Sequence, residues 1–136
     1  MTRPMIFADT SFWVALRNRR DRRHDEAVAL LREHADSGLV TSHQVRGEAW
    51  TFLRRRAGHG SAVGFLEFLE RSPRVDVLFV DAKLELEALR WLRRHDEREY
   101  SFVDATSFAL MRSGRIRQAL AFDGDFEAAG FVELRA

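Results

Sequence analysis

Met5-Ile-Phe-Ala-Asp-Thr-Ser-Phe-Trp13 decides the fold. Four residues of apolar character stop at an aspartate, and the chain continues in a pattern that suits a helix. A short apolar run closed by a polar residue reads as a buried strand over 5–8, with a helix over 10–19 behind it. The same alternation recurs along the chain. Ala27, Leu30, Leu31 and His34 keep helical spacing within 24–37, and Gly38 supplies a stop signal. Residues 39–42 read as a second strand. Thr41 with Gln44 three residues later resembles a capping box opening a helix to about residue 56. Gly58-His59-Gly60 breaks the chain before a helix carrying Val63, Leu66 and Leu69, which Ser72-Pro73 ends.

Residues 75–80 form the clearest strand, followed by a helix from 82 to about 95 with Leu84, Ala88, Trp91 and Leu92 on its apolar face. The helix over 102–112 is apolar on every side and so belongs in the core. A fourth strand over 118–122, a helical turn over 125–129 and a fifth strand over 131–134 complete the order. Strands alternating with helices predict an α/β fold, with a central parallel sheet of about five strands, right-handed crossovers and helices on its flanks. At 136 residues the chain is expected to be a single domain over 1–136.

Composition excludes several chemistries. There are no cysteines, which removes thiolate nucleophiles and Cys-ligated zinc and fits a reducing, cytoplasmic setting. No apolar run reaches the ~18 residues that cross a bilayer, and the first residues lack a signal peptide's apolar stretch. No glycine pattern matches a dinucleotide or phosphate loop, the five histidines show no metal-ligand spacing, and no serine sits in a nucleophile elbow. Net charge is +1, yet all basic residues except Lys83 are arginine. Clusters at Arg17, Arg19, Arg20, Arg22 and Arg23 and at Arg54, Arg55 and Arg56 suit phosphate contact along one surface; a solvated helix face is the plainer account.

Carboxylates in unusual positions remain. Asp9 follows the first strand and Asp123 the fourth, at the sheet edge where open α/β sheets bind ligands; a helix cap and a turn aspartate before glycine explain them equally simply. Asp104 forms a Ser-x-x-Asp capping box with Ser101, yet shares a helix row with Phe108 and Met111. A carboxylate there must be protonated, paired or metal-bound, because burying it bare costs several kcal/mol. Glu48 flanks the stripe of Val45, Ala49, Phe52 and Leu53, with a solvated pair to Arg55 as the alternative. Two carboxylates ~4 Å apart repel by about 4 kcal/mol at an effective dielectric of 20. Four at one edge call for a hard divalent cation, Mg²⁺ or Mn²⁺, and such an all-oxygen site suits phosphodiester hydrolysis by metal-activated water.

Phe7-Ala-Asp9-Thr-Ser-Phe-Trp13, Glu48 on its helix, Tyr100-Ser-Phe-Val-Asp104-Ala-Thr-Ser-Phe-Ala-Leu-Met111 and Ala121-Phe-Asp123-Gly-Asp125-Phe126 together resemble, in order and spacing, a PIN domain of the VapC toxin type. That resemblance implies a PIN-like fold, a Mg²⁺-dependent endoribonuclease leaving a 3′-hydroxyl and a 5′-phosphate, and a catalytic quartet of Asp9, Glu48, Asp104 and Asp123. It makes Asp9 and Asp104 the direct metal ligands, with Asp125 a fifth acid and Ser11 orienting a water or phosphate. It also implies a homodimer and a cognate antitoxin that covers the site. At Gly124 the sequence departs from the family, which often carries a larger polar or basic residue there. Two other readings compete: a PIN-like module that binds RNA or a partner without cutting, and a receiver-type domain phosphorylated on Asp81. A receiver needs a second acid beside Asp9 and a lysine after its fifth strand; neither is present.

Overall fold

A computed structural model describes residues 4–136. The elements run β1 (Met5–Ala8), α1 (Thr10–Arg17), α2 (His24–Glu33), β2 (Gly38–Ser42), α3 (His43–Ala57), α4 (His59–Arg71), β3 (Val75–Leu78), α5 (Ala82–Arg94), α6 (Phe102–Gly114), β4 (Gln118–Leu120), α7 (Asp125–Ala128) and β5 (Val132–Glu133). The five strands form one parallel sheet in the order β3-β2-β1-β4-β5. Its central strands are buried, as a sheet covered on both faces requires: Ile6, Phe7 and Ala8 of β1 and Ala119 and Leu120 of β4 are all closed to solvent. Among the described residues no helix is long and apolar enough to cross a membrane.

Strand ends follow from their partners. β1 and β4 pair as Phe7↔Ala119 and Ala8↔Leu120, and one more ladder bond runs from the Asp9 N–H to the Leu120 carbonyl, 3.0 Å. Beyond it β1 becomes α1, so β4 stops at Leu120 rather than at residue 122. Likewise Ser42 pairs with Leu78 and then caps α3, so β3 ends two residues before Val80. The Val80 N–H turns instead to His43 Nδ1.

Two local expectations are corrected. Thr41 and Gln44 do not form the capping box: Ser42 is the N-cap, its hydroxyl accepting from the Val45 N–H at 3.0 Å. Thr41 lies buried across the sheet, donating to the Ala8 carbonyl at 2.8 Å and accepting from Trp13 Nε1 at 3.2 Å. Gly38 does not stop the second helix. His34 caps it, and Gly38 is the first residue of β2, its N–H bonded to the Pro4 carbonyl. Long-range pairing decided both, and local signals carry none of it.

Trp13 fastens α1 to the rest of the core. It is fully buried, packs on Phe12, Phe65 and Phe68, and places its single N–H on Thr41. Truncating such a side chain costs about 3–5 kcal/mol. The residue just before α1 is thereby held in place, and that residue is Asp9.

Candidate active site

Sheet order sets where a ligand fits. From β1 the chain winds outward through β2 to β3, then returns to place β4 on the other side of β1. Crossovers leaving β1 and β4 therefore diverge, and a crevice opens at the carboxyl ends of these strands. Helices that run antiparallel to the sheet bring their N-termini to the same edge. A cleft of about 490 Å³ lies there, lined by Asp9, Ser11, Glu48, Asp104, Asp123 and Asp125 together with Phe52, Phe122, Arg22, Arg23 and Arg56 among others. Asp9, Glu48, Asp104, Asp123 and Asp125, the acids assigned to the expected metal site, thus line one cleft.

Asp9 is both a helix cap and a cleft residue. Its Oδ2 accepts from the Ser11 N–H at 3.3 Å and the Ser11 hydroxyl at 2.9 Å, and the residue is only 2% exposed. The same hydroxyl accepts from the Phe122 N–H at 3.1 Å, tying the start of α1 to the end of β4. Burial, then the charges of Asp123 and Asp104, push the Asp9 carboxyl from 3.8 up to about 8. Asp104 also combines the two roles weighed for it. Its Oδ2 accepts from the Ser101 N–H at 3.0 Å while its own N–H donates to Ser101 Oγ at 2.9 Å, completing the capping box. Burial raises its carboxyl to about 6 against that hydrogen bonding, with Asp125 and Asp123 adding to the rise. Asp123 is raised too, first by burial and then by Asp125 and Glu133, while Ser11 opposes the shift.

Glu48 enters from α3 half-buried; among the described residues it makes no ion pair, so the alternative pairing with Arg55 is absent. Asp125 is engaged by Arg98, whose Nε donates to Oδ1 at 2.9 Å and whose Nη2 donates to the Asp123 carbonyl at 3.2 Å. Gly124 takes φ +84°, and a Cβ there would stand 3.4 Å from Arg98 Nη2. Basic charge at this turn therefore arrives from the segment between α5 and α6. Asp81 lies elsewhere, exposed, capping α5 by accepting from the Leu84 N–H at 2.9 Å.

Sequence reasoning missed Glu133. Its carboxylate, closed to solvent, accepts from the backbone N–H groups of Gly124, Phe126 and Glu127 at 3.1–3.2 Å and from Arg135 at 2.8 Å. It caps α7 in place of Gly124, which has no side chain to do so, and so fixes the turn carrying Asp123 and Asp125. An acidic residue in an otherwise apolar final strand was the available signal.

Among the described residues the acids do not close into a ready cage of three or more Asp, Glu or His groups; they face the cleft from separate elements. The donor set still fits a hard divalent cation. It is all oxygen, and it holds mutually repelling carboxyls at Asp9, Asp104 and Asp123. The buried Thr10 Oγ1 in the same lining has no hydrogen-bond partner.

The family model for the PIN domain matches residues 6–132. This chain belongs to the PIN-domain family. As a PIN domain it is 56% identical over 131 residues, 96% of this chain and 98% of the relative, to the 23S rRNA-specific endonuclease VapC20 of Mycobacterium tuberculosis (strain ATCC 25618 / H37Rv). The crystal structure of Mycobacterium tuberculosis VapC20, described as a sarcin–ricin loop cleaving toxin, matches with a TM-score of 0.92 at 54% identity, covering 96% of this chain and 99% of that one. VapBC2 from Rickettsia felis, bound to a DNA fragment from its promoter, matches with a TM-score of 0.71 at 14% identity over 96% of each chain, which shows the shared PIN fold.

Proposed function

We propose that this PIN domain, folding as one unit over 1–136, is a metal-dependent endoribonuclease and the toxin of a toxin–antitoxin pair. One observation carries the reading: Asp9 after β1, Asp104 of α6 and Asp123 after β4 line one cleft at the topological switch point of the sheet, where burial and then the charges of Asp123 and Asp104 push the Asp9 carboxyl up to about 8. Asp9 and Asp104 would be the direct ligands of a Mg²⁺ ion, with Asp123 and Glu48 completing the acidic wall. A divalent cation there supplies an acidified water and neutralises charge on the scissile phosphate.

The chain's own groups do the positioning. Ser11 keeps Asp9 Oδ2 engaged and, through Phe122, holds β4 against α1. The capping box fixes Asp104 by Oδ2, and Oδ1 would remain to hold the ion. Arg22, Arg23 and Arg56 line the same cleft as the acids and suit the phosphates flanking the scissile bond, with the products ending in 3′-hydroxyl and 5′-phosphate. Identity to VapC20 across nearly the whole chain supports large-subunit rRNA, at the sarcin–ricin loop, as the substrate. A cognate antitoxin, a homodimer and a cytoplasmic setting belong to the same reading. Purified protein incubated with 23S rRNA is expected to cut it once in Mg²⁺ and leave it whole in EDTA. Equal cutting in EDTA would remove the metal from the proposal, and an rRNA left whole in both would remove the activity.

A further inference from the structure

A second depression adjoins the acidic cleft. It measures about 380 Å³ and is lined by Arg17, Asn18, Arg19, Arg20, Arg56 and Ser61, with Arg56 common to both. No carboxylate is in its lining, and among the described residues none of these four arginines has an ion-pair partner. Such crowding of guanidinium groups is unfavourable without an anion, just as crowded carboxylates are without a cation.

Its walls are built rather than loose. Two successive turns fix the chain after α1: Asn18 Oδ1 accepts from the Arg20 N–H at 3.2 Å, and Asp21 Oδ1 from the Arg23 N–H at 2.9 Å. Arg17 lies over the Phe68 ring and against Gly64, and its buried Nε finds no hydrogen-bond partner. Arg56 lies over Phe52. Ser61 belongs to the first turn of α4, a 13-residue helix whose N-cap is Gly58 and which has neither a capping side chain nor an acid in that turn. The first N–H groups of such a helix lack intrahelical partners and favour an anion.

We infer that this hollow is a phosphate-binding subsite, which holds the backbone of an RNA strand beyond the nucleotides seated in the acidic cleft. The inference rests on the nuclease reading above and deepens it, assigning to Arg17, Arg19, Arg20 and Arg56 the grip on flanking RNA. Arg54 and Arg55, exposed on α3, line neither depression and take no part.

The test uses the full chain with Arg19→Gln/Arg20→Gln, both exposed positions, beside Arg93→Gln/Arg94→Gln, which removes equal charge from exposed sites on α5. Binding of a 5′-labelled RNA hairpin of about 30 nucleotides is followed in EDTA over a salt series. Each lost phosphate contact lowers the log–log salt slope by about 0.7, so the Arg19/Arg20 variant should read about 1.4 shallower, with roughly tenfold weaker binding. The α5 variant should match wild type. In Mg²⁺ the Arg19/Arg20 variant should raise KM for the hairpin and leave kcat unchanged, while a trinucleotide confined to the cleft sees no difference. A wild-type slope in the Arg19/Arg20 variant, or the same loss in both variants, overturns the subsite. So does a variant that binds RNA normally but no longer binds an acidic peptide. A wild-type chain that cuts no RNA in Mg²⁺ or Mn²⁺ overturns the nuclease reading instead, and the slope in EDTA still decides the hollow.

Discussion

Asp9→Asn should stabilise the metal-free protein and abolish its response to divalent cations. Asp9 is closed to solvent and its carboxyl sits at about 8, against 3.8 for an ordinary aspartate. The fold therefore binds this proton more tightly than the unfolded chain does. A raised aspartate leaves stability intact below pH 3.8 and removes it as pH climbs toward 8. At pH 7 the gross cost is 1.36 × (7 − 3.8), about 4 kcal/mol, which relaxation and water entry reduce to about 1–3 kcal/mol. Asparagine keeps the shape and an oxygen for the Ser11 N–H, so the cap survives and the charge does not. In EDTA at pH 7–8 the variant should melt at least about 3 °C above wild type, and the gap should close toward pH 4. At an ion concentration a hundredfold above Kd, Mn²⁺ should return about 2.7 kcal/mol to wild type and nothing to the variant. Thermal denaturation at pH 4, 7 and 8 in EDTA and in Mn²⁺ reads all of this. A variant less stable than wild type at pH 8 without metal, or equally stabilised by Mn²⁺, would refute the reasoning.

Glu133→Gln keeps the side-chain volume but turns an amide group toward backbone donors that need an acceptor. It should cost about 1–3 kcal/mol and raise the Mg²⁺ concentration needed for half-maximal cleavage, because the turn carrying Asp123 loosens; a fall in melting temperature with the Mg²⁺ requirement unchanged would confine Glu133 to stability. Asp81→Ala should cost about 1 kcal/mol through the lost cap on α5 and leave cleavage at the wild-type rate, measured on the same RNA; loss of activity would bring back a role for that aspartate.

The parallel α/β architecture was legible because its signals are local. Apolar runs of four or five residues, the capping aspartates and the turn at Gly58 fixed the element order from β1 to β5, and β1 was read with its observed ends. Asp9, Asp104 and Asp123 were legible for a related reason: each sits at the boundary of an element, so its place at the sheet edge follows from where that element ends. What the sequence hid depends on contacts between distant segments. Thr41 serves β1 and Trp13 rather than its own helix, across 33 and 28 residues. Arg98 reaches Asp125 across 27 residues. The arginines split by geometry, with Arg17, Arg19, Arg20 and Arg56 lining one hollow while Arg54 and Arg55 line neither depression. Spacing along a helix distinguishes faces, but only the packed neighbours say what each face meets.

The most direct check is the rate of site-specific 23S rRNA cleavage by Asp104→Asn beside wild type in Mg²⁺, with the melting temperature of each recorded. Asparagine at residue 104 retains a capping oxygen for Ser101 and removes one charge from the crowded edge of the sheet. A folded variant that leaves the rRNA intact, next to a wild type that cuts it at one place, is the outcome expected. A folded variant cutting as fast as wild type would contradict the account.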